Sequence, residues 1–267
     1  MPSTARVPDE FFGLSAPESA ADLPAERVGA SLRERGVAGL TGLASRDEVL
    51  AAVQLLMGPL RSHRDSGPDG LTVLRDLGQA FSRRSGFAGL GRAALAPHTE
   101  GTQAENPPRL ILLACQRGAK AGGQTVLVDG RAVLGELTCL RPGAVEALSA
   151  PRAAFFGGAD GRFTPVLGQG TDGRWQVRLR QDDLARFSPD VQPHLPALRE
   201  ALRRHTRTIL LRPGQAVLID NHRVLHGRTA FTGERLFLRA LGDPHPRLRL
   251  APGFAPLPAP GIPTAEG

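Results

Sequence analysis

The sequence predicts a mainly β domain with added helices, an α+β sandwich or barrel carrying its helices on the outside. Three observations lead there. Short apolar runs recur, as at Leu110 to Cys115, Val126 to Val128 and Ala216 to Ile219. Gly, Pro and Asp-Gly turns separate them, at Gly122-Gly123, Asp160-Gly161, Asp172-Gly173 and Pro213-Gly214. The helical patterns near the N-terminus suit packing outside a sheet. The 267 residues carry no internal repeat and no linker between two cores. One domain over residues 26–243 is therefore expected, with an N-terminal arm at 1–25 expected to be mobile or draped on the surface, and a Pro-rich surface or unordered tail at 244–267.

The elements follow in order. Glu26 to Glu34 reads as a helix closed by Gly36, and Ser45 with Glu48 forms a capping-box pattern for a helix that ends near Gly58-Pro59. From Gly67 to Ala94 the strand signals are weak, and Gly89-x-Gly91-x-x-Ala94 imitates a dinucleotide fingerprint without the strand and βαβ unit that such a loop needs. Leu110 to Cys115 and Thr125 to Asp129 read as strands, with Asp129 capping a helix over Arg131 to Leu137 and Pro142 opening another. The segment at 155–187 reads as a hairpin insertion placed to form a lid or substrate wall. Leu195 to Arg204 is an amphipathic helix, followed by strands at Thr208 to Leu211, Ala216 to Asp220 and Arg235 to Leu241.

Composition excludes several classes. The formal charge of +7 and pI near 11 come almost wholly from scattered arginine, since Lys120 is the sole lysine. A nucleic-acid interface needs a clustered basic footprint with interleaved aromatics, and none is visible. Cys115 and Cys139 are too few for a disulfide framework and form no CxxC zinc pair. No signal pattern and no long apolar run stands in the sequence, so a cytoplasmic protein is expected.

Chemistry concentrates in Leu95-Ala-Pro-His98-Thr-Glu100 and in the distant stretch Ile219 to Phe231. On a strand, His98 and Glu100 project from the same face and reach one metal ion, with His226 as the third ligand. Two imidazoles and one carboxylate on one face of an octahedron are the arrangement of non-haem Fe(II) oxygenases. His222 and His226, four apart, imitate a helical zinc pair, but the preceding Ala-Val-Leu-Ile-Asp is a strand pattern and no Glu follows His222. Arg92, just upstream with Arg83 and Arg84 on a loop whose ordinary role is a solvated face, is a candidate for a substrate carboxylate. Asp220 and Asn221 are expected to fix a turn, and Arg228 to serve as a structural ion-pair partner.

In order and wording, His98-Thr-Glu100, Gly122-Gly-Gln-Thr125, Asp220-Asn-His-Arg-Val-Leu-His226-Gly-Arg228 and Arg235-Leu-Phe-Leu-Arg239 resemble the taurine dioxygenase and clavaminate synthase-like family of Fe(II)/2-oxoglutarate-dependent oxygenases. The resemblance is strong over Leu95 to Gly242. It implies a double-stranded β-helix (jelly-roll, cupin-like) core, with Fe(II) held by His98, Glu100 and His226 and O2 as the oxidant. It also implies that Thr125 and Arg235 bind the distal carboxylate of 2-oxoglutarate, and that Arg239 holds the co-substrate or a substrate carboxylate. Family halogenases have Gly or Ala where Glu100 stands, so hydroxylation is the implied outcome. A small amino-acid-type metabolite, free or carrier-bound, is the expected substrate, with succinate and CO2 released. A sulfonate or aryloxy-acid dioxygenase and a non-enzymatic jelly-roll protein binding a small anion are the alternatives.

Overall fold

The computed structural model describes residues 14–15 and 25–257. The arm expected at 1–25 and the last ten positions of the tail, 258–267, lie essentially outside the described residues. Strand β1 (Leu14–Ser15) pairs in parallel with β2 (Val37–Leu43), which follows helix α1 (Ala25–Arg35). Gly36 ends α1 at φ +74°, a conformation open to glycine, with its N–H donating to Leu32 O at 2.8 Å. Ser45 caps α2 (Arg46–Leu56) in a complete capping box with Glu48, as the sequence predicts. After β3 (Thr72–Leu74) and the one-turn helix α3 (Gln79–Ser82), β4 (Leu95–His98) and β5 (Leu110–Arg117) enter the two main sheets.

The short β6 (Ala121–Gly122) leads to β7 (Thr125–Asp129), and Asp129 accepts from Arg131 N at 2.9 Å to cap α4 (Gly130–Leu140). Helix α5 (Pro142–Ser149) carries its proline in the first turn. The expected insertion resolves into β8 (Ala154–Phe156), β9 (Arg162–Thr164), β10 (Leu167–Gln169), β11 (Trp175–Val177) and β12 (Ala185–Phe187). These build one three-stranded sheet and one hairpin. Helix α6 (Leu195–Arg204) precedes β13 (Thr206–Ile209), β14 (Gly214–Asp220), β15 (Val224–Arg228), β16 (Phe231–Thr232) and β17 (Leu236–Gly242).

Two sheets carry the architecture. The larger runs β1-β2-β14-β5-β17-β3, and the smaller β13-β7-β15-β4, antiparallel apart from β1 with β2. Alternation along the strands shows how they stack. Ile111, Leu113, Cys115, Val217, Ile219, Phe237 and Leu241 from the larger sheet share one core with Leu127, Ile209 and Val224 from the smaller. Their neighbours Leu110, Leu112, Ala114, Leu218 and Ala240 face the other way and pack with α1 and α2. On the far side of the smaller sheet, Val128 and Leu225 pack with α4, α5 and α6. Strands buried on both faces need apolar residues at every position, which is why Leu110 to Cys115 reads as an unbroken run.

Two expectations are corrected. β2 has no counterpart in the sequence reading, because Gly39, Thr41 and Gly42 interrupt its apolar residues, yet it is an inner strand beside β14. The described part of the tail is not confined to the surface. Leu248 is fully buried under α1, and Phe254 is buried in bridge contact with Trp175. Arg33 donates to Leu248 O at 2.8 Å, and Arg174 to Pro252 O and Gly253 O at 2.6 and 2.7 Å, so the segment through residue 254 is docked. Among the described residues no helix is long and apolar enough to cross a membrane.

Candidate metal centre and its cavity

Strand register brings the two histidines together. β15 pairs antiparallel with β4 so that His226 stands opposite His98, with ring centroids 4.4 Å apart. Their backbones approach closely because residue 227 is glycine; a Cβ there would collide with the Leu95 carbonyl and lie 3.1 Å from Pro97 N. His226 is on the inner face of β15 with Val224, as the period of two requires. Glu100 follows just past the end of β4. One ligand atom from each of His98, Glu100 and His226 lies within 4.8 Å of the others, and among the described residues this is the one such cluster of His, Cys, Asp and Glu.

The donor set is prepared for a divalent cation. His98 Nδ1 lies 3.0 Å from Ala96 O; with its proton there, Nε2 keeps the free lone pair. His226 Nδ1 is buried with no hydrogen-bond partner among the described residues. Burial, reinforced by His98, pushes the His226 imidazole down to about 3, so it is neutral at neutral pH. Burial alone would raise the Glu100 carboxyl, but Arg239 and the two histidines outweigh it and bring it down to about 2. Neutral imidazoles and an ionised carboxylate are the forms that ligate metal.

A cavity of about 560 Å³ opens above this cluster. Its floor includes Leu113 from β5, Thr125 from β7, His226 from β15, and Arg235 and Arg239 at and within β17. Arg235 is 7% exposed and lies flat on Phe237, its Cζ 3.5 Å from the ring centroid. Its Nε has no partner, and burial together with Arg228 lowers its pKa to about 9. Arg239, two positions beyond Phe237 on the same face, donates from Nη1 to Glu100 Oε2 at 2.6 Å and keeps an unpartnered buried Nε.

The rim comes from loops. Arg180 closes on Asp182 with two bonds of 2.7 and 2.6 Å, and Arg64 lies 3.2 Å from Asp65 while stacking over Phe87. Asp160, on the turn of the β8–β9 hairpin, also lines the opening. Burial and Arg239 hold the His63 imidazole below its ordinary range.

The structure gathers His98, Glu100, His226, Thr125, Arg235 and Arg239 into one cavity, and leaves Arg92 out. Arg92 is exposed, pairs with Asp76 at 2.5 Å and does not line the cavity. β4 begins only at Leu95, so proximity in sequence to His98 did not carry Arg92 to the site. Arg228 is buried and forms no ion pair among the described residues; it donates to the carbonyls of Gly89, Gly91 and Ala93 at 3.1, 2.6 and 2.7 Å, tying that loop to β15. The sequence reading missed His63, Asp65, Arg180 and Asp182. They stand in aperiodic loops, and only the adjacency of opposite charges in Arg180-Gln-Asp182 hinted at a local pair.

Comparisons with known proteins bear on the family and the fold. The family described as "Taurine catabolism dioxygenase TauD, TfdA family" matches residues 2–241. A mitochondrial trimethyllysine dioxygenase from Gallus gallus is 28% identical over 174 residues, covering 58% of this chain; the match spans 41% of that relative's length. Among solved structures, an asparagine oxygenase superposes with a TM-score of 0.68 at 21% identity, covering 84% of this chain and 81% of the other. A non-heme iron oxygenase, OrfP, solved with Fe and alpha-ketoglutaric acid, gives 0.64 at 18% identity, covering 85% and 82%.

Proposed function

Because the chain belongs to the taurine catabolism dioxygenase TauD, TfdA family, we propose that it is an Fe(II)- and 2-oxoglutarate-dependent dioxygenase that hydroxylates a C–H bond of a small amino-acid-type metabolite. The observation that carries this is the convergence of two imidazoles and one ionised carboxylate within 4.8 Å at the floor of the cavity. The two facing sheets are read as a double-stranded β-helix core. His98, Glu100 and His226 would hold iron. When bound, Fe(II) with 2-oxoglutarate and O2 supplies the oxidising power for hydroxylation, leaving succinate and CO2 as co-products.

The chain's own residues then have distinct tasks. Arg235 offers a planar fork held flat by Phe237, and with Thr125 it takes the distal carboxylate of 2-oxoglutarate. A guanidinium so desolvated stays costly until an anion meets it, which favours a dicarboxylate co-substrate at this end of the cavity. Arg239 steadies the outer oxygen of Glu100 and keeps its unpartnered Nε for a carboxylate above the metal. The rim presents both signs, Arg64 and Arg180 beside Asp65, Asp160 and Asp182, which suits a substrate carrying an ammonium and a carboxylate. An asparagine oxygenase solved with Fe(II), a hydroxyasparagine and succinate, and OrfP solved with a hydroxy-L-Arg, support an amino-acid-type substrate. A jelly-roll protein that merely binds a small anion would have no use for all three metal ligands.

The test is anaerobic addition of Fe(II) and then 2-oxoglutarate to the metal-free chain, followed in the visible. A weak metal-to-ligand charge-transfer band is expected, and substrate candidates are then screened by succinate release. Iron binding without the band would overturn the co-substrate assignment and bring the anion-binding reading forward.

A further inference from the structure

Glu100 lies where the sheet gives out. β4 pairs with β15 only from Leu95 to His98, so no strand is left to take the peptide groups of Glu100. One side chain takes both. Asn221 Oδ1 accepts from Glu100 N at 2.8 Å, and Asn221 Nδ2 donates to Glu100 O at 3.0 Å. Nδ2 also donates to Pro108 O at 2.8 Å, so both of its hydrogens are committed. Exchanging both bonds with a single residue is what an antiparallel neighbour does in a hydrogen-bonded pair. Here a side-chain amide, separated by 121 residues in sequence, stands in for the missing strand.

We propose that Asn221 is a positioning residue that completes the ladder at Glu100 and so aims its carboxylate at the point where His98 and His226 converge. The inference rests on the metal-centre reading above. The two histidines are located by strand register, which Glu100 lacks. Its side chain is held at Oε2 by Arg239 and its backbone by Asn221, and removing either hold frees the carboxylate to swing. The Asn221 amide is 1% exposed, so water is poorly placed to replace the bonds that an alanine would lose. The grip is itself anchored: Asn221 N donates to Arg109 O at 2.9 Å, in the segment that begins β5.

A merely structural asparagine would weaken the whole fold, and a double-mutant cycle separates the two roles. The full chain is prepared metal-free as wild type, N221A, E100A and the double variant. Co(II) is titrated into each and followed by its visible absorbance, with the metal-free Tm measured alongside. N221A is expected to raise the Co(II) dissociation constant by about tenfold to a hundredfold, the usual range for a residue supporting a ligand. Added to E100A, the same substitution should change it by no more than about twofold, because the carboxylate it acts through is gone. N221D retains the acceptor for Glu100 N but sets a carboxylate oxygen against Glu100 O and Pro108 O, so its loss should be at least that of N221A. N221S, which keeps a hydroxyl but cannot reach both peptide groups of Glu100, serves in its place should N221A fail to fold. An unchanged affinity in N221A, or an equal loss on both backgrounds, overturns the inference while leaving the metal centre standing. A wild-type chain that binds no metal overturns both.

Discussion

At the floor of the cavity, Arg235 lies buried against Phe237 with no carboxylate paired to it among the described residues, whereas at the rim Arg180 grips Asp182 through two bonds and Arg64 lies against Asp65. Both regions are rich in arginine, and they hold it in opposite ways. The floor keeps a desolvated charge, lowered to about 9 by burial, that a self-contained structure would have paired. The rim neutralises its own charges, with the Arg180 and Asp182 side chains, 15% and 34% exposed, satisfying each other at the opening. Under the proposed function the unpaired floor is where an anionic co-substrate would be met, and the self-paired rim is where a zwitterion would exchange partners.

The largest effect is expected at the floor. H98A or H226A should reduce iron-dependent succinate release to background and abolish the charge-transfer band, while circular dichroism shows the fold retained; turnover that survives would remove the metal-centre assignment. Next comes R235A. Losing one member of a buried charge-assisted pair costs about 2–5 kcal/mol, roughly 30-fold or more in the 2-oxoglutarate requirement. The substrate requirement should move far less, and equal shifts in both would erase the division between floor and rim.

A buried neutral imidazole away from both regions sharpens the contrast through pH. Burial, with Arg109 and Arg178 adding, pushes the His222 imidazole down to about 3, and both its ring nitrogens lack a partner among the described residues. Below its ordinary value near 6.5 the unfolded chain takes up a proton that the native chain refuses. Its contribution is therefore present above about pH 6.5 and lost as pH falls toward 3, at up to about 1.4 kcal/mol per pH unit. In H222Q the fall in Tm between pH 6.5 and 4 should be shallower than in wild type, and parallel curves would show that His222 does not titrate on unfolding. The smallest effect belongs to R92A at the exposed Asp76 pair, where the stability change should stay within about 1 kcal/mol. Neither substrate nor 2-oxoglutarate requirement should change, and a raised substrate KM would return Arg92 to the site.

The same contrast governs what could be read from the sequence. The floor was legible because its residues sit on strands or just off their ends, His98 ending β4 with Glu100 two residues on, and Arg235 preceding β17 with Arg239 within it, so that a period of two still pairs them in the sequence. The strands β5 and β14 were legible because burial on both faces leaves unbroken apolar runs. β2 was not, since its two glycines and Thr41 look like a loop until β14 and the helices cover it. The rim has no periodicity to read, and Ser85 with Asp183, or Gln181 with Pro97 O, are partners far apart in the chain. Asn221 was legible as a turn residue, but its grip on Glu100 is a tertiary fact with no local signature. The docking of Leu248 and Phe254 is of the same kind: isolated apolar residues in a Pro-rich stretch acquire meaning only where a core receives them.

The docked tail has an optical consequence. The chain contains one tryptophan and no tyrosine, and that indole belongs to Trp175, the residue that forms a bridge with Phe254. All ultraviolet emission excited near 295 nm therefore arises from a single fluorophore at the edge of the β10–β11 hairpin, beside the carbonyls of Pro252 and Gly253 that Arg174 holds. A shift of that emission to longer wavelength reads the undocking of residues 252–254 as a local event, without any dye or label.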